Sequence, residues 1–130
     1  MKTFFLLFGT ILVIGCDTMP RYPHGKRKVR VTFYARGEDK WGSKTASGVR
    51  AKPGVTVAAE HSVPFGTRVR IPALVPIFGD GDFVVQDRGS AVESRKASGG
   101  LLPVIDVFAG DKRTMKRLAA IMPPILEVLE

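Results

Sequence analysis

Cysteine is almost missing from this chain: its 130 residues hold one, Cys16. A single thiol excludes an intramolecular disulfide. Histidine is nearly as scarce. The two copies, His24 and His61, form no pair at zinc-ligand spacing with each other or with Cys16. No metal site and no cofactor is therefore expected. A Ser-His-Asp triad would have to use His61, and no G-x-S-x-G run accompanies it. Acids are also outnumbered. Twelve Asp and Glu face 20 Lys and Arg, for a net charge of +8 and a sequence pI near 10.1. Such a surface attracts polyanions in general, and charge alone does not choose between nucleic acid, anionic lipid and acidic wall polymer. Long apolar runs are lacking too. The stretch Phe4 to Ile14 has ~11 residues, short of the ~20 that a membrane-spanning helix needs.

That short run, behind Met1-Lys2-Thr3, fits the apolar core of a signal peptide. It ends in Val13-Ile14-Gly15-Cys16, which resembles the bacterial lipobox, where the cysteine becomes the lipid-bearing first residue. The expected organisation is a signal peptide over 1–15, a lipidated Cys16 with its tether over 16–27, and one domain over 28–130. The protein is then exported and held to a membrane, facing the periplasm or cell surface. Asp17 follows the cysteine directly, and in a Gram-negative host this resemblance implies inner-membrane retention.

Glycine (14) and proline (9) are spread along the chain, which favours many short elements over long helices. Lys28 to Ala35 alternates, with Val29, Val31 and Phe33 on one face, and predicts a half-buried strand. Arg36 to Gly54 is polar, holds the only tryptophan, Trp41, and reads as a long binding loop. Trp41 suits either a core edge or a sugar ring. Thr45 and Ser47 suit either turn formation or donation to a ligand, turn formation being the simpler role. Val55 to Ala59, Thr67 to Ile71, Phe83 to Asp87 and Val104 to Phe108 are four further strands. Pro72 to Gly81 and Gly89 to Leu102 are connections. Asp111 caps a helix beginning near Lys112, and Pro123-Pro124 stops it. Ile125 to Leu129 fits a strand or a helical turn equally. Five strands and one late helix indicate a mainly β domain, a small barrel that closes its own edges.

Two of these strands each carry a carboxylate. Asp87 keeps phase with Phe83 and Val85, and Asp106 with Val104 and Phe108. Ile105 and Val107 would make an equally good core face. A carboxyl among apolar groups holds its proton more tightly. A protonated carboxyl can give that proton to a glycosidic oxygen as the bond breaks. Arg88 can hold the second carboxylate ionised if its side chain reaches. The structural alternative is that both aspartates tie down loops by accepting backbone N–H bonds.

Seven short motifs then come in a recognisable order: Val31-Thr32-Phe33-Tyr34, Thr45-Ala46-Ser47-Gly48, Ala51-Lys52-Pro53-Gly54, Val57-Ala58-Ala59-Glu60, Pro64-Phe65-Gly66-Thr67, Gln86-Asp87-Arg88-Gly89-Ser90-Ala91 and Ile105-Asp106-Val107-Phe108. Over about residues 29 to 121 the chain resembles the 3D (three-aspartate) domain family. It is similar to the catalytic barrel of membrane-bound lytic transglycosylase A and of the stationary-phase survival proteins. The resemblance implies a six-stranded double-psi β-barrel with one C-terminal helix, and cleavage of the β-1,4 bond from N-acetylmuramic acid to N-acetylglucosamine. The muramic C6 hydroxyl would attack, leaving a 1,6-anhydro end. Asp106 matches the family's final aspartate, the expected acid/base, and Asp87 its Asp-Thr-Gly aspartate, here Asp-Arg-Gly. The first family aspartate falls at Glu60, and Val92 to Leu102 looks like an insertion. Glu60, Thr45, Ser47, Trp41, Arg88 and Gly89 are the expected substrate contacts. The partners implied are peptidoglycan strands and, through the lipid, a membrane. Nucleic acid is not expected, and the protein should be a monomer. A non-catalytic peptidoglycan-binding or wall-organising lipoprotein on the same barrel is the alternative function.

Overall fold

Valines alternate with charged and hydroxyl residues along the first strand, and that strand sets the geometry of everything after it. The structure, a computed structural model, describes residues 26–35 and 44–129. Cys16, Asp17, His24 and Trp41 lie outside the described residues, as do the expected signal segment and most of the tether. Strand β1 (Arg27–Tyr34) buries Val29 and Val31 and turns Arg30, Thr32 and Tyr34 to the other face. It is followed by β2 (Thr56–Ala58), β3 (Arg68–Arg70), β4 (Asp82–Asp87), β5 (Val104–Phe108) and β6 (Ile125–Val128).

The six strands run in the order β3-β4-β2-β5-β1-β6. β1 and β5 pair in parallel, as do β2 and β4, and the remaining neighbours are antiparallel. Arg70 and Leu129 exchange backbone hydrogen bonds of 2.9 and 2.8 Å, which joins the two edge strands. The sheet is thereby a nearly closed six-stranded barrel, the mainly β, double-psi-type architecture expected from the sequence. Closure removes the exposed edges that invite other strands. The undecided tail Ile125 to Leu129 is the strand that makes this closure.

One core fills the barrel. Val31, Val57, Phe83, Val85, Ile105 and Val107 are among its buried members, and Phe33 packs against it. Each such side chain contributes about 1.5–3 kcal/mol on burial. Ile105 and Val107 are thus the inward residues of β5, and Val104 and Phe108 point outward yet are also buried. The barrel wears an outer cover there.

The two connections hold more structure than their composition suggests. The first contains a 3₁₀ turn (Pro72–Leu74) and one helical turn, α1 (Val75–Phe78), that bury Leu74. The second contains helical turn α2 (Ser90–Glu93) and a 3₁₀ turn (Lys96–Ser98). The late helix α3 (Lys112–Ile121) starts at Asp111, whose carboxylate accepts from Thr114 N at 2.8 Å. That bond holds the Asp111 carboxyl below the usual range against the opposing effect of desolvation, helped by a second bond from the Thr114 hydroxyl. α3 buries Leu118 and rests Met122 on the core. Among the described residues, no helix is long and apolar enough to cross a membrane.

Gly81 shows how tightly the barrel rim is drawn. Its φ is +70°, and a Cβ there would stand 2.7 Å from Val75 Cγ2 and 3.0 Å from the Ile71 carbonyl oxygen. Gly81→Ala is expected to cost about 1–3 kcal/mol, from left-handed strain and overlap together. Thermal unfolding checks this, and an unchanged melting temperature would mean that the turn adjusts freely.

Candidate active site

Both carboxylates lie on the outer face of the barrel. On β1 and β5, Thr32 pairs with Asp106. On β5 and β2, Asp106 pairs with Ala58, and on β2 and β4, Ala58 pairs with Asp87. Cross-strand neighbours share a face, so Thr32, Asp106, Ala58 and Asp87 form one row across four strands. The two aspartates are two strand spacings apart, roughly 10 Å between Cα atoms.

Asp87 reaches this row by a bulge, which corrects the phase read from sequence. Val57 pairs with Val85, but Ala58 pairs with Asp87, so Gln86 is the additional residue. Without it Asp87 would follow Phe83 and Val85 into the core. With it, Gln86 turns its side chain to Thr56, whose hydroxyl donates to Gln86 Oε1 at 2.7 Å, and Asp87 emerges outside. There the carboxylate gathers three donors. Tyr34 Oη donates to Oδ2 at 2.9 Å, while Ala46 N and Arg88 N both donate to Oδ1 at 2.9 Å. Ser47 N adds a bond to the Gln86 carbonyl at 3.1 Å. Asp87 therefore ties the loop of residues 44–50 to the barrel.

Asp106 has different surroundings. Its Oδ1 accepts from Thr32 Oγ1 at 2.8 Å. It lines an open groove of about 370 Å³ with Thr32, Val92, Lys96, Ala97 and Val104. Val92, from the segment read as an insertion, packs on Ala58 and Val104. That contact sets Val92 over the gap between the two aspartates. The groove reaches Asp106, and Asp87 is not among its lining residues.

The same segment is clamped to the turn after β2. Glu60, an expected substrate contact, takes a bidentate grip from Arg95, with Nε–Oε2 at 3.1 Å and Nη2–Oε1 at 2.9 Å. Arg95 is held left-handed, with φ 54°. One residue on, His61 N donates to Glu93 Oε1 at 2.6 Å, and the His61 ring Nδ1 meets the same oxygen. Hydrogen bonding from Arg95 holds the Glu60 carboxyl below its usual range, outweighing the desolvation that would raise it.

A carboxyl whose folded-state value is depressed stabilises the fold fully above its unfolded value, and that contribution is lost as pH falls through the folded one. Glu60→Gln is therefore expected to lower stability by about 1–2 kcal/mol at neutral pH. The gap to the parent should close in acid, below the ordinary glutamate range, where the parent loses the same charge. Thermal unfolding at the two pH values reads this, and a gap independent of pH would mean the ion pair is not its source.

The remaining expected contacts fall into place around this centre. Arg88 does not turn its guanidinium to the Asp87 carboxylate. It donates to the carbonyl oxygens of Ala59 at 3.1 Å, Asp87 at 3.3 Å and Val63 at 2.7 Å, and lies 4.1 Å over the Phe65 ring. Burial lowers its affinity for the proton from the ordinary arginine value, partly offset by Glu93 and Asp87. Thr45 is buried and gives its hydroxyl to the Val49 carbonyl at 2.6 Å, a turn former rather than a surface donor. Ser47 is exposed, with its hydroxyl 3.0 Å from that of Thr45. Gly89 is extended and opens α2. Sequence reasoning assigned no role to Tyr34, Thr32, Arg95 or Lys96. The signal for the first two was present, since they are the polar phase of an alternating strand that runs beside the Asp106 motif. Among the described residues, no cluster of three His, Cys, Asp or Glu could hold a metal ion.

No protein-family model matches the chain. It is similar to a protein of Nostoc sp. (strain PCC 7120 / SAG 25.82 / UTEX 2576) named "Probable endolytic peptidoglycan transglycosylase RlpA", with 35% identity over 102 residues. The match covers 75% of this chain and 24% of that relative, so the chain spans about a quarter of the relative's length.

Proposed function

We propose that this chain is a peptidoglycan lytic transglycosylase built on a 3D-type barrel. The observation that carries the reading is the row Thr32–Asp106–Ala58–Asp87, which puts both motif aspartates on one face with an open groove at Asp106. The similarity to a named endolytic peptidoglycan transglycosylase supports it. In the proposed reaction Asp106 gives its proton to the glycosidic oxygen between muramic acid C1 and the next sugar. The C1–O bond breaks, and N-acetylglucosamine leaves carrying that proton. The muramic C6 hydroxyl bonds to C1, and its proton returns to Asp106. No water is consumed, one carboxyl serves as acid and then base, and the transition state gathers positive charge at C1. Thr32 orients Asp106 through its 2.8 Å bond.

The proposal extends to export and to lipid anchoring at Cys16, which rest on the sequence pattern of residues 4–17. The test is incubation of the protein with purified sacculi and analysis for anhydro-muropeptides. Their release supports the reading, and their absence from a folded preparation rejects it.

One observation favours a second reading. The Asp87 carboxylate is taken up by Tyr34, Ala46 and Arg88, and Glu60 by Arg95, so two of the three family acid positions are engaged in ties. A barrel that binds glycan without cutting it would keep such ties. It predicts sacculus binding without products and without sensitivity to Asp106→Ala.

A further inference from the structure

Arg30 is held firmly, yet its charge is unanswered. It is half-buried on the outer face of β1, and the acceptors it uses are backbone carbonyls. Nε donates to the Ala97 oxygen at 3.3 Å, and Nη1 to those of Val31 at 2.7 Å and Pro124 at 3.2 Å. Among the described residues, no carboxylate pairs with it, and Nη2 donates to none of them. Carbonyl oxygens satisfy donors without neutralising the cation. Two of the three nitrogens thus fix the plane of the fork, and the third keeps its two N–H groups for something else.

This guanidinium borders a hollow that adjoins the Asp106 groove. The hollow measures about 290 Å³, and Arg30, Thr32, Phe33, Ala119 and Met122 are among the residues that line it. Thr32 lines the groove as well, and its hydroxyl donates to Asp106. Arg30 and Thr32 alternate on one face of β1, so their Cα atoms are roughly 7 Å apart. The fork therefore stands one side-chain step from the residue that orients the proposed acid. Phe33 and Met122 offer apolar surface to the C–H face of a sugar ring, and Arg30 and Thr32 offer polar groups to its substituents. Asp106 is the one acid lining either the hollow or the groove, and Lys96 adds a second cation on the groove side. The local charge favours an anionic ligand.

We infer that Arg30 is a specificity residue: the hollow takes a sugar next to the one at Asp106, and the Arg30 fork binds a carboxylate carried by the glycan. The inference rests on the glycan reading of the groove and adds to it the group that is recognised. A guanidinium with its plane already fixed loses little freedom when it binds a carboxylate, which is why arginine suits this task. A muramic residue can supply that carboxylate in two ways. Without a peptide its own lactyl group is free, and with one the lactyl carboxyl is consumed in an amide and the peptide brings others. Glycans built from N-acetylglucosamine alone have neither.

The experiment measures binding by calorimetry, at physiological salt, on the full chain carrying Asp106→Asn. That background stops turnover, so the result does not depend on whether the parent cuts glycan. Two soluble probes are titrated: peptide-free peptidoglycan strands, and strands with their stem peptides. Each is used untreated and after carbodiimide coupling of its carboxyls to ethanolamine. Adding Arg30→Gln should weaken binding of untreated strands about tenfold, as for loss of one charge-assisted contact, and leave amidated strands unchanged. The probe that shows the loss identifies the source of the carboxylate. Arg30→Lys, which keeps the charge without the fork, should fall between the two. Arg68→Gln, which removes an equal charge from β3, should leave both probes bound as before. The inference is overturned if Arg30→Gln weakens untreated and amidated strands alike, which would make Arg30 a brace only, or if it changes neither. It is also overturned if Arg68→Gln has the same effect, which would reduce the attraction to net charge. A chain that binds no strand of any kind refutes the glycan reading itself.

Discussion

Asp106→Asn is expected to lower anhydro-muropeptide release from sacculi by about 10²–10⁴-fold, the range for losing a positioned general acid. The amide copies the shape of the carboxylate. Its oxygen can still accept the Thr32 hydroxyl now bonded at 2.8 Å, so the row across the four strands persists. What it lacks is a proton to give to the leaving oxygen and a basic site to take one from the C6 hydroxyl. Stability should therefore change by less than about 1 kcal/mol, as for a partly exposed isosteric change, and sacculus binding should survive. That combination separates chemistry from folding. Parental turnover in the variant would move the acid/base role away from β5, and a parent with no products at all would leave only the glycan-binding reading.

The strands were legible because most have one wet face. β1 alternates along its length, and Arg68 and Arg70 flank Val69 in β3, so period two appears directly. β5 was ambiguous for a physical reason. Both Ile105/Val107 and Val104/Phe108 are buried, the first pair in the barrel and the second under an outer cover that includes Val92, and two-faced burial erases alternation. The bulge at Gln86 had no local signal, because Phe83 to Asp87 reads as unbroken alternation. Its cause is non-local. A carboxylate in phase with Phe83 and Val85 would be buried without donors, and one extra residue delivers it to Tyr34, Ala46 and Arg88 instead. The last strand was undecidable because its role depends on Arg70, far away in sequence.

Two features that read in sequence as departures from the 3D pattern the chain resembles, Glu60 and the segment from Val92 to Leu102, belong to one device. Arg95 comes from the extra segment and grips the Glu60 carboxylate with two nitrogens. An aspartate there would fall short by about a C–C bond length. Glu93 and His61 make a second fastening a few residues away. Between the two, Val92 is held down on Ala58 and so stands between the aspartates. In sequence the glutamate reads as a substrate contact whose longer side chain displaces its carboxylate. In the structure it anchors the wall of the Asp106 groove.

Asp87 is the residue whose two possible roles can be pulled apart by substitution. Asp87→Ala removes the acceptor for Tyr34 Oη, Ala46 N and Arg88 N together. It should cost about 2–3 kcal/mol, since bonds to a charged acceptor are the stronger kind and these are partly solvated. Asp87→Asn keeps an oxygen for the two backbone donors, and its amide can donate to the Tyr34 oxygen, so the loss should stay under about 1 kcal/mol. The activities should not follow that order so simply. Three donors around Asp87 suit a group that carries negative charge, and the proposed transition state gathers positive charge near Asp106. At roughly 10 Å and an effective dielectric of about 20, one unit charge is worth about 1.7 kcal/mol, or a little over tenfold in rate. Asp87→Asn should therefore fold like the parent and turn over about tenfold more slowly, with Asp87→Ala slower again as the loop of residues 44–50 comes loose. Melting temperatures and muropeptide release on the same preparations measure both. Full activity in Asp87→Asn would reduce Asp87 to a tie and leave Asp106 to carry the chemistry alone.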